Sequence, residues 1–307
     1  MRLLAGLIIM ATFLAGSVIA PAEVMISEDG PKTNSRAFFG NSVPEVARII
    51  SIRNESRVPY DFKYVYFPAG GQAPAKPFPA YVRFPYIGDQ TSGTSGLGLI
   101  GGGWYEGGFF DVLVNGKGLG GTLANDIRVR SGKEEGEVRF VWEPEWATTT
   151  LRCLLKARDE KMYVIIDVNP KEQVKEIKVK LLAYPGGDRG KTFPHDRWIC
   201  TPSRNIQHSD GKTDVNPESE CWLYCFDSGI NDRGSCAVVF LPEEIMGATA
   251  DPSNNSTVNF LLNCHPDQRR VRLLLMSFPR DYKKPHRAYD LIKTSAPAFF
   301  ETLRTLK

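Results

Sequence analysis

The sequence predicts an all-β fold, a large antiparallel β-sandwich with a short C-terminal helical segment. Short runs of β-branched and aromatic residues recur between residues 46 and 278, separated by turns rich in Gly, Asn, Asp and Pro. In the run 177–181, apolar side chains alternate with lysines, and in the run 151–155, Leu151, Cys153 and Leu155 alternate with Arg152 and Leu154. Such strands have one face on a core and the other in water, as in antiparallel sheets rather than in buried parallel ones.

The first 22 residues have the features of a secretory signal peptide. Arg2 is followed by an apolar stretch that begins at Leu3, and residues 20–22 read Ala-Pro-Ala, a small-residue cleavage site. We expect cleavage after Ala20 or Ala22; an uncleaved membrane anchor is the alternative. The predicted location is therefore secreted, periplasmic or extracellular, with no stable membrane span after signal cleavage.

Composition limits the domain organisation and the partners. We expect a polar lead-in over residues 23–44 and a single β-sandwich domain with its C-terminal helix over residues 45–307. The 38 basic and 35 acidic residues nearly balance. This balance predicts no nucleic-acid partner and no polyanion-binding surface.

The six cysteines are even in number and follow a signal peptide, so disulfides are permitted. Sequence does not choose among the 15 complete pairings. If Cys221 and Cys225 share a strand, their Cα atoms are about 13 Å apart and cannot be bridged. Free buried thiols are one alternative and a zinc site another, but no C-x-x-C occurs, so no metal is predicted.

The glycine-rich segment 93–110 contains the spacing G-x-G-x-x-G at Gly96, Gly98 and Gly101. A dinucleotide site requires a strand before this motif and a helix after it, and neither is predicted here. We therefore expect no cofactor. The segment is interpreted as a loop whose missing side chains let backbone or a ligand approach Trp104 and Tyr105.

Residues 184–208 are interpreted as a polar loop, punctuated by Gly and Pro, on the surface of the sandwich. A histidine can move a proton, an arginine can hold a carboxylate in two hydrogen bonds, and a tryptophan can stack on a sugar ring. The candidate catalytic residues are His195, Arg197, Arg204 and His208, and the candidate binding residues are Trp104, Tyr105, Tyr184, Asp188 and Trp198.

A simpler interpretation of residues 195–198 competes with a site. Asp196 and Arg197 would form a salt bridge within the loop, and Trp198 would fill the edge of the sandwich. Neighbouring residues of an extended chain point in opposite directions, which favours this interpretation.

Two other features are predicted along the chain. Residues 286–306 are compatible with a helix that has Phe299, Leu303 and Leu306 on one face, and Pro297 is expected to divide it. The glycosylation triplets at Asn54, Asn254 and Asn255 are interpreted as chance matches.

The segments KVKLLAYPGG (178–187), FPHDRW (193–198) and CWLYCFDSGINDRGSCAVVFLPEE (221–244) resemble, in general organisation, the super-sandwich of galactose mutarotase-like domains. That resemblance implies a carbohydrate ligand. In such enzymes a carboxylate acts with histidines around a sugar ring, and the related lyases often use Tyr or His with Arg.

Three functions remain open from the sequence. The first is a secreted carbohydrate-binding protein, and the second is a carbohydrate-active enzyme, lyase or epimerase/mutarotase-like, that uses His and Arg as acid, base and anion clamp. The third is a non-catalytic structural or interaction protein of the cell envelope. The first two require Trp104 and the segment 184–208 to converge, whereas the third predicts that Trp104 and Trp198 are buried in separate places.

Overall fold

The protein is described from a computed structural model over residues 23–38, 41–55, 60–67, 94–100, 103–105, 108–186, 196–229, 234–253, 257–278 and 285–307. Within these ranges the strands and the α-helix are β1 (Met25–Phe38), β2 (Asn41–Arg53), β3 (Tyr60–Phe67), β4 (Thr94–Ile100), β5 (Phe110–Val114), β6 (Lys117–Gly118), β7 (Asp126–Arg130), β8 (Glu135–Trp142), β9 (Ala147–Lys156), β10 (Met162–Pro170), β11 (Ile177–Ala183), β12 (Arg197–Cys200), β13 (Asn205–Gln207), β14 (Thr213–Val215), β15 (Trp222–Asp227), β16 (Ser235–Phe240), β17 (Ile245–Asp251), β18 (Val258–Cys264), β19 (Arg270–Phe278) and α1 (Pro285–Thr305).

These strands form three antiparallel sheets. The nine-stranded sheet has the order β13-β12-β15-β16-β19-β10-β9-β8-β7, the six-stranded sheet β14-β17-β18-β11-β5-β6, and the four-stranded sheet β1-β2-β3-β4. All three contribute to one main core, for example through Phe140, Phe260 and Phe62. The predicted all-β sandwich with a C-terminal helix is confirmed.

The alternation with a period of two in the sequence corresponds to the buried and exposed faces of the strand. Ile177, Val179 and Leu181 of β11 are buried in the main core, while Lys178 and Lys180 between them are partly exposed. Strand β1 lies wholly within residues 23–44, which were expected to form a polar lead-in, and it pairs along its length with β2, which begins there. The loop interpretation of the glycine-rich segment is wrong for residues 94–100, which form β4.

Helix α1 covers part of the outer face of the nine-stranded sheet. Its buried residues Ala288, Ile292, Ala296, Phe299 and Leu303 follow helical spacing and pack on that face, which also buries residues of β10, β16 and β19. These contacts form a second, helix-side core. The central strands are consequently buried on both sides.

The expected division of the helix at Pro297 is wrong, because α1 is continuous from Pro285 to Thr305. An interior proline removes one backbone hydrogen bond and costs about 3 kcal/mol. Burial of apolar side chains on both sides of Pro297 offsets this cost, since each fully buried Leu, Ile or Phe contributes about 1.5–3 kcal/mol.

One arginine of the sheet donates to the last turn of the helix and another to Lys307, two residues beyond the helix. Arg272 Nη1 lies 2.9 Å from Arg304 O, and Arg152 Nη1 lies 2.7 Å from Lys307 O. Cations are favourable where helix carbonyls have no partner within the helix. The end of α1 is thus attached to β19 and β9.

Asn54, in the first glycosylation triplet, is buried and holds a turn of the nine-stranded sheet. Its Nδ2 donates to Lys156 O and to Asp159 O, both at 2.6 Å. This nitrogen is the atom that N-glycosylation would modify. The triplets at Asn254 and Asn255 lie outside the described residues.

Candidate functional site

Strand β12 lies inside the segment that was expected to be a surface loop. Residues 197–200 and 205–207 form β12 and β13, which pair with each other. Ile199 and Ile206 are buried in the main core, and their burial explains why this polar segment contains strands. The loop interpretation is therefore wrong for these seven positions.

Arg197 and Trp198 point to opposite faces of the nine-stranded sheet. Arg197 is fully buried and shares the inner side of β12 with Ile199. Trp198 and Cys200 lie on the outer side, where Cys200 belongs to the helix-side core. The two residues therefore do not contribute to one pocket.

Trp198 lies in a groove of about 440 Å³ on the outer face of the nine-stranded sheet, which we call the aromatic groove. The groove adjoins the N-terminal part of α1 through Tyr289. Its lining residues are Trp198, Cys200, Asn205, Tyr224, Phe226, Ser228 and Tyr289.

The aromatic rings of β12 and β15 are stacked in register. Trp198 and Phe226 are cross-strand partners with ring centroids 6.4 Å apart and planes 13° from parallel. Phe226 and Tyr224 are 5.7 Å apart at 24°. Tyr289 of α1 forms the opposite wall and is held edge-on to Trp222 at 5.6 Å. The groove thus has a rigid aromatic surface.

Polar groups lie at the edge of the groove. Asn205 and Ser228 are exposed, and the Ser228 hydroxyl donates to the carboxylate of Asp196. The Trp198 Nε1 is buried and has no hydrogen-bond acceptor within the described part of the chain. Tyr224 is held in place by a hydrogen bond from its hydroxyl to Ser235 Oγ at 2.9 Å.

Three predicted site residues meet on the inner side of β12, in a group that we call the tyrosine–arginine cluster. Arg197 Nε lies 3.8 Å from Asp227 Oδ2, and both side chains are fully buried. The guanidinium carbon is 5.5 Å from the centroid of the Tyr184 ring, which meets Tyr105 edge-on at 5.6 Å. Arg197 therefore pairs with Asp227 and not with Asp196.

Arg204 is occupied by a carboxylate of its own chain. Its Nε and Nη2 donate to the two oxygens of Glu220 at 2.8 and 3.1 Å. Glu220 also accepts from Thr201 Oγ1, Ser203 Oγ and the backbone of Asn216. Burial alone would raise the pKa of Glu220, but these donors, with Arg204 first, outweigh it and lower the pKa to about 2.

The other candidates are dispersed. His208 begins a short 3-10 helix and its Nδ1 lies 2.9 Å from Pro252 O. Trp104 is buried in the main core, where its Nε1 donates to Met276 O at 3.3 Å. Trp104 and Trp198 thus lie in separate places, as the third function predicts, and do not form the shared surface that the first two functions require. The aromatic groove is a different arrangement from the one expected from the sequence. Asp188 and His195 lie outside the described residues.

The sequence contained a signal for the residues that were missed. Trp222, Tyr224 and Phe226 are spaced by two residues, so one strand carries all three rings on one face. Tyr289, in contrast, reaches the groove only through the packing of α1.

The described ranges lack two features, a metal-binding group of side chains and a membrane-spanning helix. They contain no group of three or more His, Cys, Asp or Glu side chains placed to hold a metal ion. They also contain no helix with the length and apolar character needed to cross a membrane.

A scan against protein-family models and a search of curated proteins found no match. Solved structures similar to the chain include a protein assigned as an aldose 1-epimerase from Klebsiella pneumoniae subsp. pneumoniae, with 7% identity, a TM-score of 0.46 and coverage of 89% of this chain and 96% of that one. A TPR-domain containing protein from Parabacteroides distasonis has 9% identity and a TM-score of 0.46 over 85% of this chain and 56% of that one.

A GH31 family sulfoquinovosidase from E. rectale has 9% identity and a TM-score of 0.30 over 54% of this chain and 28% of that one. The epimerase and the GH31 enzyme are consistent with the weak, fold-level resemblance to mutarotase-like domains. At these identities and TM-scores, the similarities carry no argument about function.

Proposed function

We propose that the protein is an exported carbohydrate-binding protein and that the aromatic groove is its binding site. The observation that supports this proposal is the stacked surface of Trp198 and Phe226 with Asn205 and Ser228 at its edge. A sugar ring has apolar C–H faces that pack on aromatic rings and hydroxyls that hydrogen-bond to polar groups beside them.

The size and rigidity of the groove support a small saccharide. Its volume of about 440 Å³ falls within the usual range of small-molecule sites. The rings are fixed by cross-strand pairing and by Tyr224, whose hydroxyl bonds to Ser235. Little ordering is therefore required on binding, which favours affinity.

Binding is favoured over catalysis by the chemistry of the described lining. That lining includes no histidine, carboxylate or arginine. Arg197 faces the other side of the sheet, Arg204 is paired with Glu220, and His208 contacts Pro252 O. Export is part of the proposal and is supported by the signal-like pattern of residues 1–22.

The proposal is tested by applying the mature protein to a glycan array and measuring the affinity for each positive saccharide by calorimetry. Trp198→Ala should weaken binding at least about tenfold, the effect of losing about 1.4 kcal/mol of stacking. Asn205→Ala should weaken it less, because Asn205 is an exposed edge contact.

Trp146→Ala is the matched control, because Trp146 is also a partly buried tryptophan and precedes β9, five strands away in the sheet. It should bind like the wild type. No binding on the array, or equal binding by a folded Trp198→Ala variant, would contradict the proposal.

A further inference from the structure

Two of the six cysteines face each other on neighbouring strands. Cys225 of β15 and Cys236 of β16 are direct cross-strand partners, and both are fully buried. Both belong to the main core, so their side chains lie on the same face of the sheet. In the structure both thiols are free, and Cys236 Sγ lies 3.3 Å from Gly103 O.

The ladder of hydrogen bonds gives the spacing of this pair. Phe240 N donates to Cys221 O at 3.1 Å, so these opposed residues form a hydrogen-bonded pair. Along an antiparallel ladder, hydrogen-bonded pairs alternate with pairs that are not hydrogen-bonded. The pair of Cys225 and Cys236 lies four positions beyond the pair of Cys221 and Phe240. It is thus also a hydrogen-bonded pair, with Cα atoms about 5.5 Å apart. Disulfides most often join Cα atoms at about this distance, with Cβ atoms about 3.8 Å apart. The Cβ atoms of a hydrogen-bonded pair are about 5.5 Å apart, so the two strands must approach each other locally when the bond forms.

The other four cysteines are poorly placed to form a disulfide with Cys225 or Cys236. Cys200 lies on the opposite face, in the helix-side core. Cys153 is on β9, three strands from β16, or about 14 Å at the usual strand spacing. Cys264 belongs to the six-stranded sheet, and Cys221 precedes Cys225 on the same extended chain.

We propose that Cys225 and Cys236 form a cross-strand disulfide when the chain folds in an oxidising compartment. The two thiols lose two protons and two electrons and gain one S–S bond. The oxidant is another disulfide, which is reduced to two thiols through a mixed disulfide with one of the cysteines. Because both thiols are buried in the folded chain, the bond forms before the core closes.

The test is oxidative refolding of the full chain with reduced and oxidised glutathione, followed by denaturation, alkylation and mass spectrometry. Oxidised protein should accept two fewer alkyl groups than protein refolded with dithiothreitol. Trypsin leaves Cys221 with Cys225 and Cys236 with Cys264, since it cuts after Lys212, Arg233 and Arg269. A chymotryptic digest, which cuts after Tyr224 and Phe240, is therefore needed to assign the bond.

A cross-linked peptide that joins Cys225 to Cys236 supports the proposal, and its loss in Cys225→Ala with retention in Cys153→Ala confirms the assignment. Alkylation of all six cysteines after oxidative refolding, or a bond between any other two, overturns it. The peptide map of the wild-type protein decides the matter even if Cys225→Ala does not fold.

Discussion

Glu220 shows how a single buried carboxylate organises its surroundings. It is almost fully buried and accepts hydrogen bonds from the side chains of Arg204, Thr201 and Ser203. Arg204 was predicted as an anion clamp for a ligand. In the structure Arg204 binds a carboxylate of the chain itself, and sequence could not show this because the partners are 16 residues apart.

Glu220→Gln should lower the free energy of unfolding by about 1–3 kcal/mol at neutral pH, because a neutral amide accepts weaker hydrogen bonds from Arg204. In the wild type the folded pKa of about 2 lies below the ordinary value, so the stabilisation is present above about pH 4.5. It is lost as the pH falls towards 2, because the unfolded chain takes up the proton first.

Urea unfolding at several pH values between 2 and 7 measures this effect. The Glu220→Gln variant should lose less stability than the wild type over the acidic part of this range. Glu218→Gln changes an exposed carboxylate two positions away and should leave the profile unchanged. An identical pH dependence in Glu220→Gln and the wild type would contradict the assigned role.

At the scale of elements, the local periodicity of the sequence was sufficient to predict a strand or helix where one face of that element meets the core. It predicted the alternation in β11 and the buried face of α1 with Phe299 and Leu303. It was insufficient for β12, because Gly, Pro and charged residues around Ile199 concealed the strand. It also failed at Pro297, because packing on the sheet outweighs the local preference of proline.

Arg272 couples helix α1 to the sheet, and Arg272→Met should lower the free energy of unfolding by about 3 kcal/mol or more. The substitution leaves Glu244, which is 2% exposed, without the cation 2.6 Å away. Burial already raises the pKa of Glu244 despite that cation. The substitution also removes a donor to Arg304 O at the helix end.

Chemical denaturation of single and double variants checks this coupling. Glu244→Gln added to Arg272→Met should recover part of the loss, since no buried charge is then left unpaired. Arg304→Met breaks the more exposed pair with Glu243 and should cost less than about 1 kcal/mol. Equal costs for Arg272→Met and Arg304→Met would refute the argument.

At the scale of the whole molecule, residues 103–105 connect elements that are distant in sequence. Gly103 O accepts hydrogen bonds from Tyr184 N at 2.6 Å and from the free thiol of Cys236 at 3.3 Å, and Trp104 pairs with Ala183, the last residue of β11. Gly103 has a φ of +80°, and a Cβ there would lie 2.8 Å from the carbonyl carbon of Ser235. The backbone of Ser235 and Cys236 therefore packs directly against the Cα of Gly103.

Gly103→Ala should therefore destabilise the protein by more than about 2 kcal/mol, through strain at positive φ and a clash with backbone. Gly116→Ala is a close control, because Gly116 also has a φ of +80° but would meet nothing within 4 Å. It should cost only about 1 kcal/mol, from the left-handed backbone conformation alone. Urea unfolding of both variants measures the difference, and equal losses would show that the contact with Ser235 is unimportant.

The fold class was predictable from the sequence because it depends on short-range patterns repeated along the chain. The candidate site was predictable only in part. Trp198 was identified from its local context, but its neighbours Phe226 and Tyr289 depend on strand register and on the docking of α1. Trp104 was grouped with Trp198 from residue type alone, and tertiary packing separates them.

The position of α1 has a consequence for the aromatic groove. One wall of the groove is Tyr289, in the second turn of the helix, and the other is Trp198 of the sheet. An occupant that contacts both walls binds only while the helix is docked, so binding adds to the free energy of local opening of α1. By the same linkage, we expect an occupant of the groove to slow amide exchange in the part of α1 around Tyr289.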